Sequence, residues 1–497
     1  MAIGPDQLSI IGVVGAGAMG AGIVQTALIS GLKVVLYDTN TAVIGTACEQ
    51  ILQRIARQIE KGQLPKEIHE KAKVNLLPAE DLTAFAPAEV VIEAIIEKLE
   101  PKQSLFSALE RIVGSNTVLA TNTSSLSVAA IARGCERRGR VCGMHFFNPV
   151  PLMKLVEVIS APATSEETIV IALALSKRLD KAAVQVSDVP GFLVNLLGRA
   201  YTTESQHILL EGVASAAVID RIMRDACGFR MGPFELMDLT GIDVNFPATS
   251  YIWQGFQYDP RLKPTILHEG LYNAGRFGRK VGEGFHAYVD GTQVLERETN
   301  TSAPAGLSAY IAEDDRGFTA LLEQGLQRGS QEAADVILIA PKGEDAATVC
   351  VRLKLDPKRV VAVDFVGAER KFLTLMVSAG GDSRIGRTAA FLRAKGWRVA
   401  TIKDSPGFVA PRILSMIANL GCEVAQMGIG TPADIDLAMR LAQNYPRGPL
   451  EWAAFLSPAR VFETLTKIQA QTGSDRYRPS LWLRRRALLG LPIHTPG

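Results

Sequence analysis

The sequence predicts an α/β fold: a mostly parallel sheet covered by helices, then an all-helical domain, then a degenerate second copy of both. Three observations carry this. Short apolar runs rich in β-branched residues alternate with helical patterns up to residue 186, the order expected of a buried parallel sheet. From 187 to 288 the patterns are helical. A stretch starting at Lys403 then repeats the one starting at Ser187. The domains expected are residues 1–186, 187–288, 307–402 and 403–497, with a polar, turn-rich linker near 288–306.

Bulk properties exclude several classes of function. A length of 497 residues suggests about three domains. The hydrophobic fraction of 47%, with 21% charged, is that of a soluble globular protein. A net charge of +2 indicates neither a nucleic-acid partner nor a strongly acidic one. No apolar run reaches the roughly 18 residues a membrane helix needs. The N-terminus lacks a basic segment before its first apolar run, so no signal peptide is expected. Cysteines 48, 135, 142, 227, 350 and 422 form no CxxC pair and meet no histidine cluster. That spacing fits free thiols in a reducing cytoplasm and no metal site. Cys142 and Cys227 lie near functional segments and are read as buried small apolar side chains.

The first strand is Leu8–Val14, followed at once by Gly15-Ala-Gly17-Ala-Met-Gly20 and a helix ending at Gly31. A second strand, Lys33–Tyr37, ends in Asp38. Gly15 permits the tight strand-to-helix turn, Gly17 lets backbone approach a pyrophosphate, and Gly20 lets the helix pack on the strand. This makes the first domain a Rossmann-type dinucleotide-binding domain. Asp38 can accept both adenosine ribose hydroxyls and would repel a 2′-phosphate, and no arginine follows it. NAD is therefore expected over NADP, with FAD the alternative sharing this fingerprint.

Charged helices follow, in which Lys61, Lys66 and Lys71 read as a solvated face. The strands Ala88–Ile96 and Asn116–Thr121 end near Glu97 and Asn122-Thr-Ser124-Ser125. Asp38, Glu97 and Ser124 thus share the C-terminal edge of the sheet, where ligand crevices form. Ser125 is expected to cap the next helix and Ser124 to serve the site. His145 ends another apolar run, Asn148-Pro149-Val150-Pro151 must bend the chain, and Lys154–Glu157 runs on as a strand. A strand, a bend and a strand can return Glu157 to His145. On these residues alone the pair is either a structural ion pair or an oriented general base.

These motifs resemble the L-3-hydroxyacyl-CoA dehydrogenase family over residues 8 to about 288. They are GVVGAGAMG, IIEKLEPK, NTSSL, HFFNPVPLMKLVEV, DVPGFLVN, GPFELMDLTGID and FGRKVGEGF. The resemblance implies an NAD-dependent oxidation of (S)-3-hydroxyacyl-CoA to 3-oxoacyl-CoA, with an acyl-CoA as the small-molecule partner. It implies His145 as general base, Glu157 as its orienting carboxylate, and Ser124 and Asn195 as holders of the substrate oxygens. It implies nucleotide binding by Gly15, Gly17, Gly20, Asp38, Glu97, Lys102, Asn148 and Lys280. One departure stands out: family members usually carry arginine after the asparagine, and here it is Leu196.

The self-similarity is gapless. Lys403-Asp404-Ser-Pro406-Gly407-Phe408 repeats Ser187-Asp188-Val-Pro190-Gly191-Phe192 at an offset of 216. Ile435-Asp436 and Gly448-Pro449-Leu-Glu451 repeat Ile219-Asp220 and Gly232-Pro233-Phe-Glu235 at the same offset. Pro411 stands where the first copy has Asn195, and residues 307–402 contain neither G-x-G-x-x-G nor histidine. By resemblance the second half is a non-catalytic relic, as in two-copy dehydrogenases of aromatic-acid and butyrate-type pathways. Its helical domain would pack on the first as a partner subunit's would, giving an internal pseudo-dimer in place of, or within, a homodimer. The basic tail around Trp482 reads as a solvated helix face.

That layout favours short-chain or dicarboxylic substrates, 3-hydroxybutyryl-CoA or 3-hydroxyadipyl-CoA, in fatty-acid or phenylacetate catabolism. Two alternatives remain: a dehydrogenase of another small hydroxy acid on a similar fold, and a binding protein that has lost catalysis. The first would rely on a lysine base and does not predict HFFNPVP. The second sits badly with an intact Ser124, His145, Glu157 and Asn195.

Overall fold

The computed structural model describes residues 8–294, 306–313, 316–378, 380 and 382–496. Residues 1–7, on which the reading of the N-terminus partly rests, and 295–305, the middle of the expected linker, lie outside these. The chain forms two compact units. One holds residues 1–196 with 428–443, the other 197–427 with 444–497.

The first unit carries an eight-stranded sheet. Its elements are β1 Ile10–Val14, α1 Ala18–Ile29, β2 Lys33–Tyr37, α2 Thr41–Glu60, α3 Glu67–Asn75, β3 Leu76–Pro78, β4 Val90–Glu93, α4 Leu99–Ile112 and β5 Val118–Thr121. Then come α5 Val128–Ala132, β6 Val141–Phe146, β7 Leu155–Ser160, α6 Glu166–Arg178 and β8 Ala182–Ser187. The strand order is β3-β2-β1-β4-β5-β6-β7-β8, and every pairing is parallel except β6 with β7. The central strands are buried along their length because helices cover both faces, which is why they read as unbroken apolar runs. Helix α2 shows the complementary pattern: Ile44, Ala47, Ile51 and Ile55 form one buried stripe at helical spacing. The strand expected over 88–96 stops at Glu93, leaving Ile95 to Glu97 in a loop.

Helix α7, Val194–Leu210, begins in the first unit and opens the helical stretch. It is followed by α8 Ala216–Arg221, α9 Pro233–Thr240, α10 Ile242–Gly255 and α11 Ile266–Asn273. The expected linker opens with a short hairpin of β9 Tyr288–Val289 and β10 Thr292–Gln293. A second sheet then uses β11 Ser308–Ile311, α12 Arg316–Glu323, β12 Gln327–Arg328, β13 Val336–Ile339, α13 Ala346–Leu353, β14 Val360–Asp364, β15 Phe372–Val377, α14 Asp382–Ala394 and β16 Arg398–Lys403. The last helices are α15 Ala410–Gln426, α16 Pro432–Gln443, α17 Pro449–Leu456, α18 Pro458–Thr472 and α19 Leu481–Leu489.

The second sheet is a shortened copy of the first. Its order is β12-β11-β13-β14-β15-β16, with the one antiparallel pair between β14 and β15. Asp188 accepts the amides of Val128 and Ala129 at the start of α5, and Asp404 accepts those of Ala346 and Ala347 at the start of α13. That shared contact equates α13 with α5, so β13 to β16 match β5 to β8. The segment β11–α12–β12 repeats β1–α1–β2, and among the described residues α2, α3, β3, β4 and α4 have no counterpart.

Inside the second unit the two helical copies join through a buried charge cluster. Glu204 on α7 accepts from Arg412 on α15 and from Arg476, both at 2.6 Å. Arg412 also holds Glu211 at 2.7 Å and donates to the Tyr477 hydroxyl at 2.6 Å. Arg412 lies 216 residues after Leu196, so the second copy carries the arginine that the first lacks. Rings of both copies also stack on one another: Tyr201 on Phe229 at 4.6 Å and Phe229 on Trp452 at 5.9 Å. Part of the tail departs from a solvated face, because Arg486 is buried over the Trp482 ring at 3.4 Å. Among the described residues no helix is long and apolar enough to cross a membrane.

Candidate active site

The glycine loop is built as its spacing requires. Gly15 has φ +107°, and a Cβ there would lie 2.4 Å from the Ala94 carbonyl. At Gly20 a Cβ would lie 1.8 Å from the Gly15 carbonyl, so the helix can approach the strand only without a side chain. Gly17 faces open space, with nothing within 4 Å of such a Cβ. It is also the N-cap of the twelve-residue α1 and offers no side-chain cap, which leaves the first amides to an external acceptor. Asp38 accepts the Ala16 amide at 2.8 Å and the Asn40 amide at 3.0 Å, fixing the loop from the end of β2. This cradle fits a dinucleotide diphosphate with its ribose at Asp38.

Next to it lies a relay of charges. Glu93 and Lys102 are each 1% exposed and pair at 2.5 Å. Glu93 also accepts the Thr121 hydroxyl at 2.6 Å and the Ile95 amide at 2.7 Å. Lys102 reaches on to Glu97 at 3.1 Å. Glu97 in turn accepts the Thr123 hydroxyl at 2.5 Å and the amides of Ser124 and Ser125 at 2.9 and 3.2 Å. Burial pushes its carboxyl up, but Thr123, the Lys102 charge and the Ser124 amide together bring it below the usual range. Lys102 is thus buried beneath Glu97, and the surface it offers a nucleotide is 1% of its own. Ser125 does not cap the helix. That role falls to Ser127, whose side chain accepts the Ala130 amide, while the Ser125 hydroxyl turns to Glu97 at 3.2 Å.

His145 and Glu157 stand opposite each other in the β6–β7 register. Their side chains meet at 2.6 Å, Nδ1 to Oε2, with His145 5% and Glu157 0% exposed. The other carboxylate oxygen accepts the amides of Leu193 and Val194 at 3.0 and 2.8 Å. Glu157 therefore has no freedom to rotate away, and Nδ1 is committed, leaving Nε2 as the nitrogen able to meet a hydroxyl. Phe147 and Phe192 lie against the imidazole at centroid distances of 4.5 and 5.8 Å. Asn195 is half-buried at the second position of α7, one residue past the amide that holds Glu157.

Ser124 is exposed at the end of β5, and Asn148 is exposed in the bend after β6, joined to Pro149 by a cis peptide. Lys280 belongs to the second unit, where it pairs with Asp243. Several supporting residues escaped the sequence reading. Asn122 accepts the Phe146 amide at 2.9 Å. Lys181 donates to the Val150 and Met153 carbonyls at 2.6 and 2.7 Å, pinning the bend, and burial lowers its ammonium to about 8. The bend also rests on α1, since a Cβ at Gly22 would lie 2.8 Å from Val150. Only Glu93 left a signal, an acid ending an otherwise apolar strand. Cys142 is buried as expected, which drives its thiol up to about 12, and burial raises Cys227 further. Among the described residues no cluster could hold a metal ion.

Among the described residues the second sheet carries none of this chemistry. By strand register Asp364, opposite Thr374, occupies the place of His145 opposite Glu157. Where the first copy has its glycine loop, the second has Ala312-Glu313-Asp314-Asp315-Arg316.

The first unit can bind a dinucleotide beside a carboxylate-held histidine able to take a hydroxyl proton, the equipment of an NAD-dependent dehydrogenase. Similarity to known proteins narrows that class. Residues 10–189 match the NAD-binding domain of 3-hydroxyacyl-CoA dehydrogenases, and residues 191–288 and 407–492 both match the C-terminal domain of that family. The chain belongs to the 3-hydroxyacyl-CoA dehydrogenase family, and it is an NAD-dependent oxidoreductase. It is 38% identical to the 3-hydroxyadipyl-CoA dehydrogenase of Escherichia coli over 97% of this chain and 98% of that one. A crystal structure of 3-hydroxybutyryl-CoA dehydrogenase from Escherichia coli superposes with a TM-score of 0.86 at 37% identity, covering 97% and 98% of the two chains. The mitochondrial hydroxyacyl-coenzyme A dehydrogenase of Sus scrofa is 37% identical over 56% of this chain and 90% of its own.

Proposed function

We propose that the protein oxidises short-chain or dicarboxylic (S)-3-hydroxyacyl-CoA, 3-hydroxybutyryl-CoA or 3-hydroxyadipyl-CoA, in fatty-acid or phenylacetate catabolism. The full-length similarity to proteins with those two substrates in their names supports the choice. The observation that carries the chemistry is the buried 2.6 Å contact between His145 and Glu157. NAD, seated by the glycine loop and Asp38, would supply the hydride acceptor for C3. His145 Nε2 takes the proton of the 3-hydroxyl, and Glu157 faces the positive charge that develops on the ring. Ser124 and Asn195 hold the substrate oxygens. Gly15, Gly17, Gly20 and Asp38 seat the dinucleotide, Glu97 with Asn148 lies further along the same sheet edge, and Lys102 acts through Glu97. Lys280 is assigned to the nucleotide by motif alone. The setting is cytoplasmic, with an acyl-CoA as partner and no nucleic acid.

Measuring kcat/KM over a panel of 3-hydroxyacyl-CoA esters tests this reading. The maximum is expected at the four-carbon or the six-carbon dicarboxylic ester. A maximum at long unbranched chains, or turnover of free hydroxy acids alone, rejects it.

A further inference from the structure

The first unit includes a piece of the second copy. At the end of β8 the Ser187 amide donates to the Ile429 carbonyl at 3.0 Å, and the Ser187 hydroxyl reaches Gly428 at 3.3 Å. Helix α16 then packs on β7 and β8, and β7 is the strand that bears Glu157. Gly430, two residues before α16, lies between Leu193 and Ile435. A Cβ there would lie 3.5 and 3.6 Å from the Leu193 methyls and 3.7 Å from Ile435 Cγ1, all ordinary packing distances. Leu193 and Ile435 are both 0% exposed.

The second unit contains the mirror image. Lys403 donates to the Val213 carbonyl at 2.9 Å, each residue standing 216 from its counterpart in the Ser187–Ile429 bond. Arg221, at the end of α8, donates to Val399 on β16 at 3.3 Å. Each helical copy thus lends a segment to the other copy's sheet, but only one sheet carries a histidine–carboxylate pair.

We propose that residues 428–443 of the second copy are a positioning element of the first copy's active site. They fix Leu193 from the side, and the amides of Leu193 and Val194 are what hold Glu157 against His145. A carboxylate fixed by two amides keeps the imidazole aimed only while those amides stay in place. The proposal rests on the reading of His145 as the base.

The test compares two matched truncations in the full-length chain, Ile435→Ala and its mirror Ile219→Ala. Both residues are 0% exposed and fourth in their helices. Both variants are expected to lose thermal stability. With 3-hydroxybutyryl-CoA, Ile435→Ala should lower kcat about tenfold, leave KM for NAD within about twofold, and raise the isotope effect of deuterium at C3. Ile219→Ala should keep kcat within about twofold, and Ile435→Val should recover most of it. Equal stability losses with wild-type kcat in both would overturn the proposal. Should Ile435→Ala fail to fold, Gly430→Val crowds Leu193 instead, and wild-type kcat there would overturn it as well. A wild-type protein inactive on every ester would overturn the functional reading, and the proposal with it.

Discussion

Glu157 shows how much of the site is set by single hydrogen bonds. Both of its oxygens are used, one by His145 and one by two backbone amides, and the side chain is fully buried. Replacing His145 by glutamine should cut turnover at least about a hundredfold while NAD binds as before. Steady-state kinetics and fluorescence titration with NADH check the two halves separately. Lys102→Met should act differently. It leaves the Glu93 carboxyl at 1% exposure without its cation, a loss on the order of 3 kcal/mol in a urea titration. It also frees Glu97 from its cation, so KM for NAD should rise. The histidine and its carboxylate could be found in the sequence because one bend returns one strand to the other. Lys102 could be found too, but only as a motif position, because its burial depends on a strand nine residues earlier.

At the scale of the helix, α7 carries two buried groups with displaced titration, His207 shifted by burial and Glu204 by its arginines against burial. His207 is pushed down to about 4 and Glu204 to about 2, the latter because Arg476 and Arg412 outweigh the cost of burying it. His268 is pushed down to about 3 by burial. All three bind fewer protons folded than unfolded, so stability is full above pH 6.5 and falls with acidification. The histidines act first, from 6.5 downward, and Glu204 adds its share from 4.5 towards 2. His207 alone is worth roughly 3 kcal/mol across its window. Thermal midpoints measured from pH 7 to 4 should therefore fall, and His207→Gln with His268→Gln should flatten the slope. Arg412→Leu should cost about 3 kcal/mol at neutral pH, since Arg476 alone must then neutralise Glu204. Helix α7 was legible as a helix from its apolar spacing. The ion pairs were not, because Glu204 and Arg412 are 208 residues apart and neither leaves a local pattern.

The whole molecule is a duplicated scaffold with one set of chemical groups. The sequence showed the duplication through a constant offset, and it showed which half had kept its glycine loop and histidine. It could not show that the halves exchange segments, or that everything from α2 to α4, with strands β3 and β4, is what the second copy lacks among the described residues. Those facts live in contacts between distant residues. One NAD per chain is expected by isothermal titration calorimetry, because Asp364 and Thr374 replace the pair and acids replace the glycines in the second copy. Two equivalent sites would contradict this.

The bond between Ser187 and Ile429 has a consequence for how the chain is made. Gly428, its other contact, follows Ser187 by 241 residues. At about 5–20 residues per second, a ribosome needs roughly 10 to 50 s to reach it after β8 has emerged. Through that interval β8 is an uncovered sheet edge on an otherwise finished sheet, the kind of strand that recruits stray partners. The nascent chain is therefore most exposed to aggregation after His145, Glu157 and Asn195 have been translated and before residue 443 has left the tunnel.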